Sequence, residues 1–401
     1  MEKVWKWDNQ FVPLGIYISV PFCRTKCSYC NFASDVFSRR VFDRYVERVC
    51  ADIANARQTT HDMGAKIDLE VDSIYLGGGT PTVLDAAQLQ IMFNALRAEF
   101  SVCVDAEVTV ECAPGTLSPE MLRGLLRCGV NRVSLGVQSF VDAEAAAVGR
   151  LHRRTTVLED ITRLRSAGIA NINVDLIAGL PHQTAESWQV SLDETIATSA
   201  PHVSVYMLEV DEDSRLGREL MAGGTRYHAH FVPDEDTTAD FYLAASEKLE
   251  AAGTAQYEIS NFARPSFESR HNLKYWTRQP YLGFGVDAHS MLTAADSDSG
   301  AVRFSTTDSL EAYTTGVPPQ KTPVSAAAAF EESFFLGLRL NCGVDLNDIA
   351  ARFGNESVRK VRPTIDQWIC DGLVQRAEHR IRLTARGRLL SNEVFSSFIV
   401  A

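Results

Sequence analysis

Short apolar runs rich in Val and Ile recur through the first half of the chain, and a longer stretch with helical spacing follows each. This is the pattern of repeated βα units around a parallel sheet. Six strands are predicted, at 15–20, 72–76, 107–111, 132–135, 172–177 and 202–208, with helices at 41–57, 86–100, 118–127, 154–167 and 185–198. Ser118 and Asp142 stand at helix starts with acids in the first turn. Gly129 and Gly168, each between a helix and a strand, suit a left-handed stop. Six units rather than eight predict an open, partial barrel, with its chemistry at the C-terminal ends of the strands. A doubly wound sheet is the alternative, but no Gly-x-Gly-x-x-Gly fingerprint follows the first strand.

The pattern loses regularity after residue 216. Residues 217–323 read as an α+β extension, with a polar run at 223–230, a loop at 294–300 and a linker-like Pro-rich stretch at 318–323. Beyond it, helices at 326–337, 346–353 and 358–371 and a hairpin at 373–383 predict a small winged-helix-like module over 324–401. From Ser325 to Ala401 there are ten Lys and Arg against nine Asp and Glu, so this module is a poor DNA binder.

Composition narrows the function classes. The chain has 401 residues, 45% hydrophobic and 22% charged, which is ordinary for a soluble globular protein. A net charge of −12 gives no support for sequence-independent nucleic-acid binding. The first eight residues carry no apolar core of signal-peptide length, and nowhere do 18 apolar residues run together. A cytoplasmic location is expected, compatible with peripheral contact at a membrane.

Three of the nine cysteines, Cys23, Cys27 and Cys30, stand just past the first strand. Thiolate is the ligand of iron–sulfur clusters, and three thiolates hold three corners of a cubane, leaving the fourth iron open. A zinc knuckle needs a fourth Cys or His, and none lies near; Phe32 fills the place where one would sit. The other six, Cys50, Cys103, Cys112, Cys128, Cys342 and Cys370, are scattered singly, give no disulfide framework and read as inert thiols. The Cys-x3-Cys-x2-Cys spacing resembles the signature of the radical S-adenosylmethionine (SAM) superfamily. That resemblance implies a 4Fe-4S cluster whose open iron is chelated by the amino and carboxylate groups of SAM.

A Gly-rich turn, Gly77-Gly-Gly-Thr-Pro-Thr82, follows the second strand, where three glycines let backbone approach a ligand closely. Glu111, Gln138 and Asp175 sit at or near the ends of later strands, and polar groups buried there need partners. One ligand bearing an ammonium, a ribose and a sulfonium would supply them, with Arg150 placed to take its carboxylate in a bidentate fork. Internal hydrogen bonds are the plainer reading for each residue taken alone.

The cysteine triad, the Gly-rich turn, Val137-Gln-Ser, Asp175-Leu-Ile-Ala-Gly-Leu-Pro181 and Leu383-Thr-Ala-Arg-Gly-Arg-Leu together resemble the HemN/HemW family of radical SAM proteins, over nearly the whole chain. The resemblance implies a partial (β/α)6 radical SAM barrel at 1–216. It also implies cluster ligation by Cys23, Cys27 and Cys30, and SAM contacts at Tyr17, Gly78, Gly79, Thr80, Glu111, Gln138, Arg150 and Asp175.

Two features separate the family's branches. The oxidases carry a cysteine two positions after the third ligand, where this chain has Phe32. His271-Asn-Leu-Lys-Tyr-Trp276 matches the motif associated with heme binding in HemW-like proteins, which implies heme contacts at His271, Tyr275 and Trp276. Neutral imidazole is a good axial iron ligand, and aromatic rings stack on a porphyrin face. Relatives usually carry Gly-x-Gly-x-Gly-Ala-His-Ser, whereas here Asp287 replaces the third glycine in Gly283-Phe-Gly-Val-Asp-Ala-His-Ser290. His289 reads either as a second iron ligand or as a loop-ordering side chain.

The expected function is that of a heme chaperone, which binds heme and delivers it to a hemoprotein acceptor, membrane hemoproteins included. The alternative is oxygen-independent coproporphyrinogen III oxidase, a radical SAM oxidative decarboxylation in porphyrin biosynthesis. A nucleic-acid-modifying enzyme is the third class, and the acidic balance argues against it.

Overall fold

A computed structural model describes residues 12–296 and 300–399. The first eight residues and the centre of the 294–300 loop, both read above, lie outside the described residues. Six strands in chain order form the parallel heart of the fold: β1 (Leu14–Val20), β2 (Glu70–Gly78), β3 (Ser101–Cys112), β4 (Arg132–Gln138), β5 (Asn171–Ala178) and β6 (His202–Met207). All six expected strands are present. Helices Ala86–Glu99, Pro119–Arg127, Arg154–Ser166 and Ala185–Ala197 cover them at the expected places. The helix expected over 41–57 is instead split into Phe42–Ala54 and Ala56–Asp62. Asn55 makes the break, since its side-chain amide donates to the Ala51 carbonyl at 2.8 Å and so competes with the helix ladder. Ser118 caps its helix by accepting from the Met121 N–H, but Asp142 is not a cap: its carboxylate accepts from the Arg154 N–H instead.

The strand faces explain why this sheet is covered on one side and polar on the other. Side chains alternate across a strand, and Ile16, Ile18, Leu76, Val110, Leu135, Val174 and Val205 all fall on the face that joins one continuous core with the helices. Burying each is worth about 1.5–3 kcal/mol relative to exposure. The opposite face carries Tyr17, Tyr75, Glu111, Arg132, Ser134, Asp175 and Ser204, brought level by a parallel register that pairs Tyr17 with Tyr75, Glu111 with Ser134, and Asp175 with Ser204.

The segment 217–323 contributes strands to both edges of this sheet. β7 (Ala255–Gln256) and β8 (Asn261–Ala263) extend it beyond β6; β9 (Tyr281–Gly285), β10 (His289–Thr293), β11 (Ala301–Ser305) and β12 (Gln320–Val324) extend it beyond β1. β9 runs parallel to β1 and becomes a seventh parallel strand. The sheet ends in β12 on one side and β7 on the other, so it stays open.

The C-terminal region has its own core and packs helices Ala326–Phe335, Leu346–Phe353 and Asn355–Cys370 against a three-stranded antiparallel sheet: β13 (Val344–Asp345), β14 (Val374–Ala377) and β15 (Arg380–Leu383). This is the expected winged-helix-like arrangement. Among the described residues no helix is long and apolar enough to cross a membrane.

Glu332 ties this region to the sheet. Its carboxylate accepts from Arg278 at 2.8 Å and from Arg303 at 2.6 Å, and the Arg278 and Glu332 side chains are only 4% and 7% exposed. Removing one partner of a buried pair strands the other charge, at about 3–5 kcal/mol. Glu332→Gln is therefore expected to lower the unfolding free energy by about 3 kcal/mol. A thermal melt tests this, and an unchanged midpoint would show that the triad carries no stability.

Candidate functional site

The chain leaves β1 at Val20 and makes the cysteine loop between residues 21 and 35. Cys23 N–H donates to the Asp35 carbonyl and Asp35 N–H to the Pro21 carbonyl, both at 3.0 Å, which closes the loop's base. Lys26 Nζ donates across its interior to the Ser34 carbonyl at 2.7 Å. Ser28 N–H donates to Val148 O at 3.2 Å and Ser28 O accepts from Leu216 N–H at 2.8 Å, anchoring the far side. Hydrogen bonds within the protein thus set the loop's form.

Cys23, Cys27 and Cys30 are free thiols, Cys27 buried and the others half-buried. Burial pushes the Cys23 and Cys30 thiols up. For Cys23 the Ser34 and Thr80 hydroxyls work the other way, Thr80 Oγ1 lying 3.9 Å from its Sγ. Arg150 Nη1 lies 3.6 Å from Cys27 Sγ. Among the described residues no three His, Cys, Asp or Glu side chains converge on a single-ion position. A cubane asks for a different geometry, each thiolate taking its own iron, and three thiols on one rigid loop with donors at two sulfurs fit it.

The Gly-rich turn seats directly on this loop. Gly79 N–H donates to Val20 O at 2.8 Å and Thr80 N–H to Phe22 O at 2.7 Å. A Cβ at Gly79 would lie 2.7 Å from Phe22 O and 2.8 Å from Val20 O, both backbone atoms that cannot give way. Gly78 has φ 94°, and a Cβ there would meet Ser19 Oγ at 2.8 Å. The close approach anticipated from the glycines is thus made first to the chain itself.

The polar strand face forms a network reaching down from this turn. Tyr75 O–H donates to Glu111 Oε1 at 2.8 Å; desolvation, followed by the nearby Asp175 charge, pushes the Glu111 carboxyl up to about 7. Asp175 accepts from Ser134 Oγ at 3.0 Å and Asn173 Nδ2 at 2.6 Å. Its partners are therefore protein groups, where a ligand was expected. The Arg150 guanidinium likewise donates to the Gly136 carbonyl and faces Cys27, so it does not present an open fork. Buried atoms without a hydrogen-bond partner here include Thr109 Oγ1, Arg132 Nε, Gln138 Oε1 and Arg150 Nε. Gln138 also has a left-handed φ of 69° at the end of β4.

Sequence reasoning missed most of this network. Arg132 is 1% exposed; burial works against its charge, and Glu107 with the neighbouring acidic groups outweighs that. Ser73, Tyr75, Glu107, Ser134, Asn173 and His202 were also missed. The signal was there in the period-two spacing of polar residues inside the strand runs, as in Arg132/Ser134 and Asn173/Asp175.

The expected heme residues lie on helix Arg270–Trp276, at the opposite end of β1 and β2 from the cysteine loop. The Glu107 carboxylate accepts from the Arg270 and His271 N–H groups at the start of this helix. Buried Lys274 bonds the Pro13 carbonyl at 2.7 Å and Asp72 at 2.8 Å. His271 is 1% exposed, its Nδ1 3.1 Å from Ser73 Oγ and its Nε2 2.8 Å from Tyr275 O–H. Desolvation, with the Lys274 and Arg132 charges, pushes it down to about 3, so the imidazole is neutral, as an iron ligand must be. Both nitrogens are hydrogen-bonded within the protein, one to Ser73 and one to Tyr275. Trp276 lies under the Arg339 guanidinium at 4.3 Å and does not line the cavity; Tyr275 does.

That cavity has a volume of about 280 Å³, and Tyr17, Ser19, Phe32, Ala33, Gly78, Tyr281, Asp287 and His289 line it with Tyr275. Asp287 stands at φ 54°, a left-handed position that Asp tolerates better than most residues, which accounts for a glycine there in relatives. Exposed His289 follows, with Nε2 3.6 Å from Asp287 Oδ1.

Comparison with known proteins agrees with this geometry. Residues 17–194 match the Radical SAM superfamily and residues 324–390 the HemN C-terminal domain. The heme chaperone HemW of Bacillus subtilis is 34% identical over 391 residues, covering 96% of this chain and 98% of that one. HemW of Escherichia coli is 31% identical over 392 residues, covering 96% and 98%. Among solved structures, coproporphyrinogen III oxidase HemN from Escherichia coli superposes with a TM-score of 0.80 at 24% identity, covering 96% of this chain and 90% of that one, a likeness of fold. With a cysteine loop, a Gly-rich turn and an open parallel sheet in these relations, the chain belongs to the HemW family of radical SAM proteins.

Proposed function

We propose that this chain binds heme and passes it to an acceptor hemoprotein, with a 4Fe-4S cluster on Cys23, Cys27 and Cys30 and SAM beside it. The observation that carries this reading is Phe32. Where the resembling oxidases place a cysteine, a phenyl group 64% exposed stands at the rim of a cavity shared with Tyr17, Tyr275 and Tyr281. Aromatic edges and faces of this kind suit a porphyrin plane. The heme chaperone relatives support the same reading. The barrel at 1–216 then holds cluster and SAM, the extension at 217–323 supplies the other cavity wall, and the module at 324–401 braces that extension through Glu332. The reading places the carrier in the cytoplasm, touching the membrane surface where the acceptor is membrane-bound.

When bound, the reduced cluster supplies an electron to the SAM sulfonium, the chemistry of the superfamily. The chain's own residues bind and orient. Gly78, Gly79 and Thr80 offer backbone beside the cysteine loop, Glu111 a carboxylate for the SAM amino N–H, Gln138 an unpartnered acceptor, and Tyr17 a wall. Arg150 and Asp175 act as positioning residues, the first through Cys27 and the second through Ser134 and Asn173.

Glu111 gives a pH test. Its carboxyl, raised to about 7, is neutral below that pH, so accepting as a carboxylate from the SAM amino N–H releases a proton. SAM affinity is expected to rise about tenfold from about pH 6 to about pH 8 in reconstituted protein, and to be weaker and flat in Glu111→Gln. A profile that survives the substitution would remove Glu111 from the site. Cys27→Ser is expected to abolish the visible iron–sulfur absorbance of anaerobic preparations while the fold persists; zinc in the unmodified protein would defeat the cluster assignment. Incubation with reductant, SAM and coproporphyrinogen III is expected to yield no decarboxylated product, and turnover at useful rates would replace the carrier by the oxidase.

A further inference from the structure

We propose that Arg339, on the C-terminal module, is a positioning residue for heme binding: its guanidinium holds the Trp276 indole and, through it, the cavity-lining Tyr275. This rests on the heme-carrier reading above and adds a residue outside the cavity. Tyr275 and Trp276 close helix Arg270–Trp276, and helix ends fray unless something holds them. Arg339 Cζ lies 4.3 Å from the centre of the Trp276 ring, the geometry of a cation over an aromatic face. The indole in turn stands beside Tyr275, ring centres 6.3 Å apart, and Tyr275 packs edge-on against Tyr281 at 4.6 Å. Both tyrosines line the cavity. Aromatic contacts thus run from Arg339 to the cavity wall.

Arg339 is itself held from a fixed base. Its carbonyl accepts from Ile259 N–H at 3.2 Å, and Asn341 binds the extension twice, N–H donating to Tyr257 O at 2.9 Å and Nδ2 to Gln256 O at 2.7 Å. Glu258, fully buried beside these contacts, places Oε2 3.7 Å from Arg339 Nη2, an ion pair longer than a hydrogen bond. Just past the same helix, Arg278 is gripped by Glu332. The module therefore clamps the helix end at two points, and at Arg339 the clamp reaches a ring next to the cavity.

The second observation is what this junction leaves unmet. Glu258 Oε2, Arg339 Nε and Trp276 Nε1 are all buried without a hydrogen-bond partner. Apolar residues of similar volume are often as stable as a buried ion pair, or more so. Stability alone would therefore favour an apolar filling. A guanidinium over the indole does what an apolar side chain does not: it favours one orientation of the ring, face to cation.

Removing Arg339 alone would strand the Glu258 carboxylate, so the test compares Glu258→Gln with Glu258→Gln/Arg339→Met, each with and without Trp276→Leu. Cluster-loaded protein is melted without heme, then titrated anaerobically with ferric heme and followed by absorbance. Arg339→Met is expected to weaken heme binding about fivefold while the heme-free melting midpoint stays in place. Trp276→Leu is expected to cost a similar factor, and Arg339→Met to add nothing to it, since the guanidinium then has no ring to hold. Equal affinities with and without Arg339, a factor that persists without the indole, or a loss that only follows a lowered midpoint overturns the assignment and leaves the heme-carrier reading intact. Should the methionine form fail to fold, Arg339→Lys, which keeps a cation beside Glu258 without the flat guanidinium face, is read in the same way. Failure of the unmodified chain to bind heme overturns both.

Discussion

A sheet face lined with charged and hydroxyl groups is stable inside a protein only if those groups find partners there, since each buried polar group left alone costs on the order of 1–3 kcal/mol. The barrel meets this constraint around Arg132. Its guanidinium, 1% exposed, shares the interior with Glu107, Asp175, Tyr75 and Tyr257, and the carboxylates in turn draw hydrogen bonds from Ser134, Asn173 and helix Arg270–Trp276. The polar side chains are thus bound to one another before any ligand arrives, which fixes where a ligand is still needed. Glu111, near neutrality at about 7, and Arg132, Gln138 and Arg150, each with a buried atom that lacks a hydrogen-bond partner, are the exceptions.

The same strands carry different tasks at their two ends. At the upper end β1 opens into the cysteine loop and β2 into the Gly-rich turn, and backbone hydrogen bonds between them make one unit. At the lower end Gly15 and Ser73 receive helix Arg270–Trp276: a Cβ on Gly15 would fall 2.7 Å from Lys274 Cδ, and Ser73 holds His271. The motif around His271 therefore plugs the barrel floor. Its imidazole bonds Ser73 and Tyr275 there, while the exposed His289 lines the cavity.

The extension and the C-terminal region follow from unfinished edges. A six-stranded parallel sheet leaves rows of unpaired backbone groups at β1 and β6, and exposed edges of that kind invite association. Strands from this extension cover both, and β9 with the turn into β10 brings Tyr281, Asp287 and His289 to the cavity in doing so. The Glu332 carboxylate then locks the last region to this added wall through two arginines.

The sequence by itself determined what is local. Strand and helix alternation, the cysteine spacing, the three successive glycines and the Ser118 cap are each written in a few neighbouring residues, because the physics behind them acts over one turn or one strand. The split at Asn55 and the role of Asp142 were decided by side-chain partners that spacing does not name. The short strand β9, with glycines at Gly283 and Gly285, became legible only beside β1. Only the tertiary structure decided that Arg132 is buried, that Asp175 is satisfied by Ser134 and Asn173, and that His271 is buried while His289 is exposed. These depend on which atoms meet across the sheet, and burial and electrostatic partnership are properties of that meeting, not of any residue's identity or its neighbours along the chain.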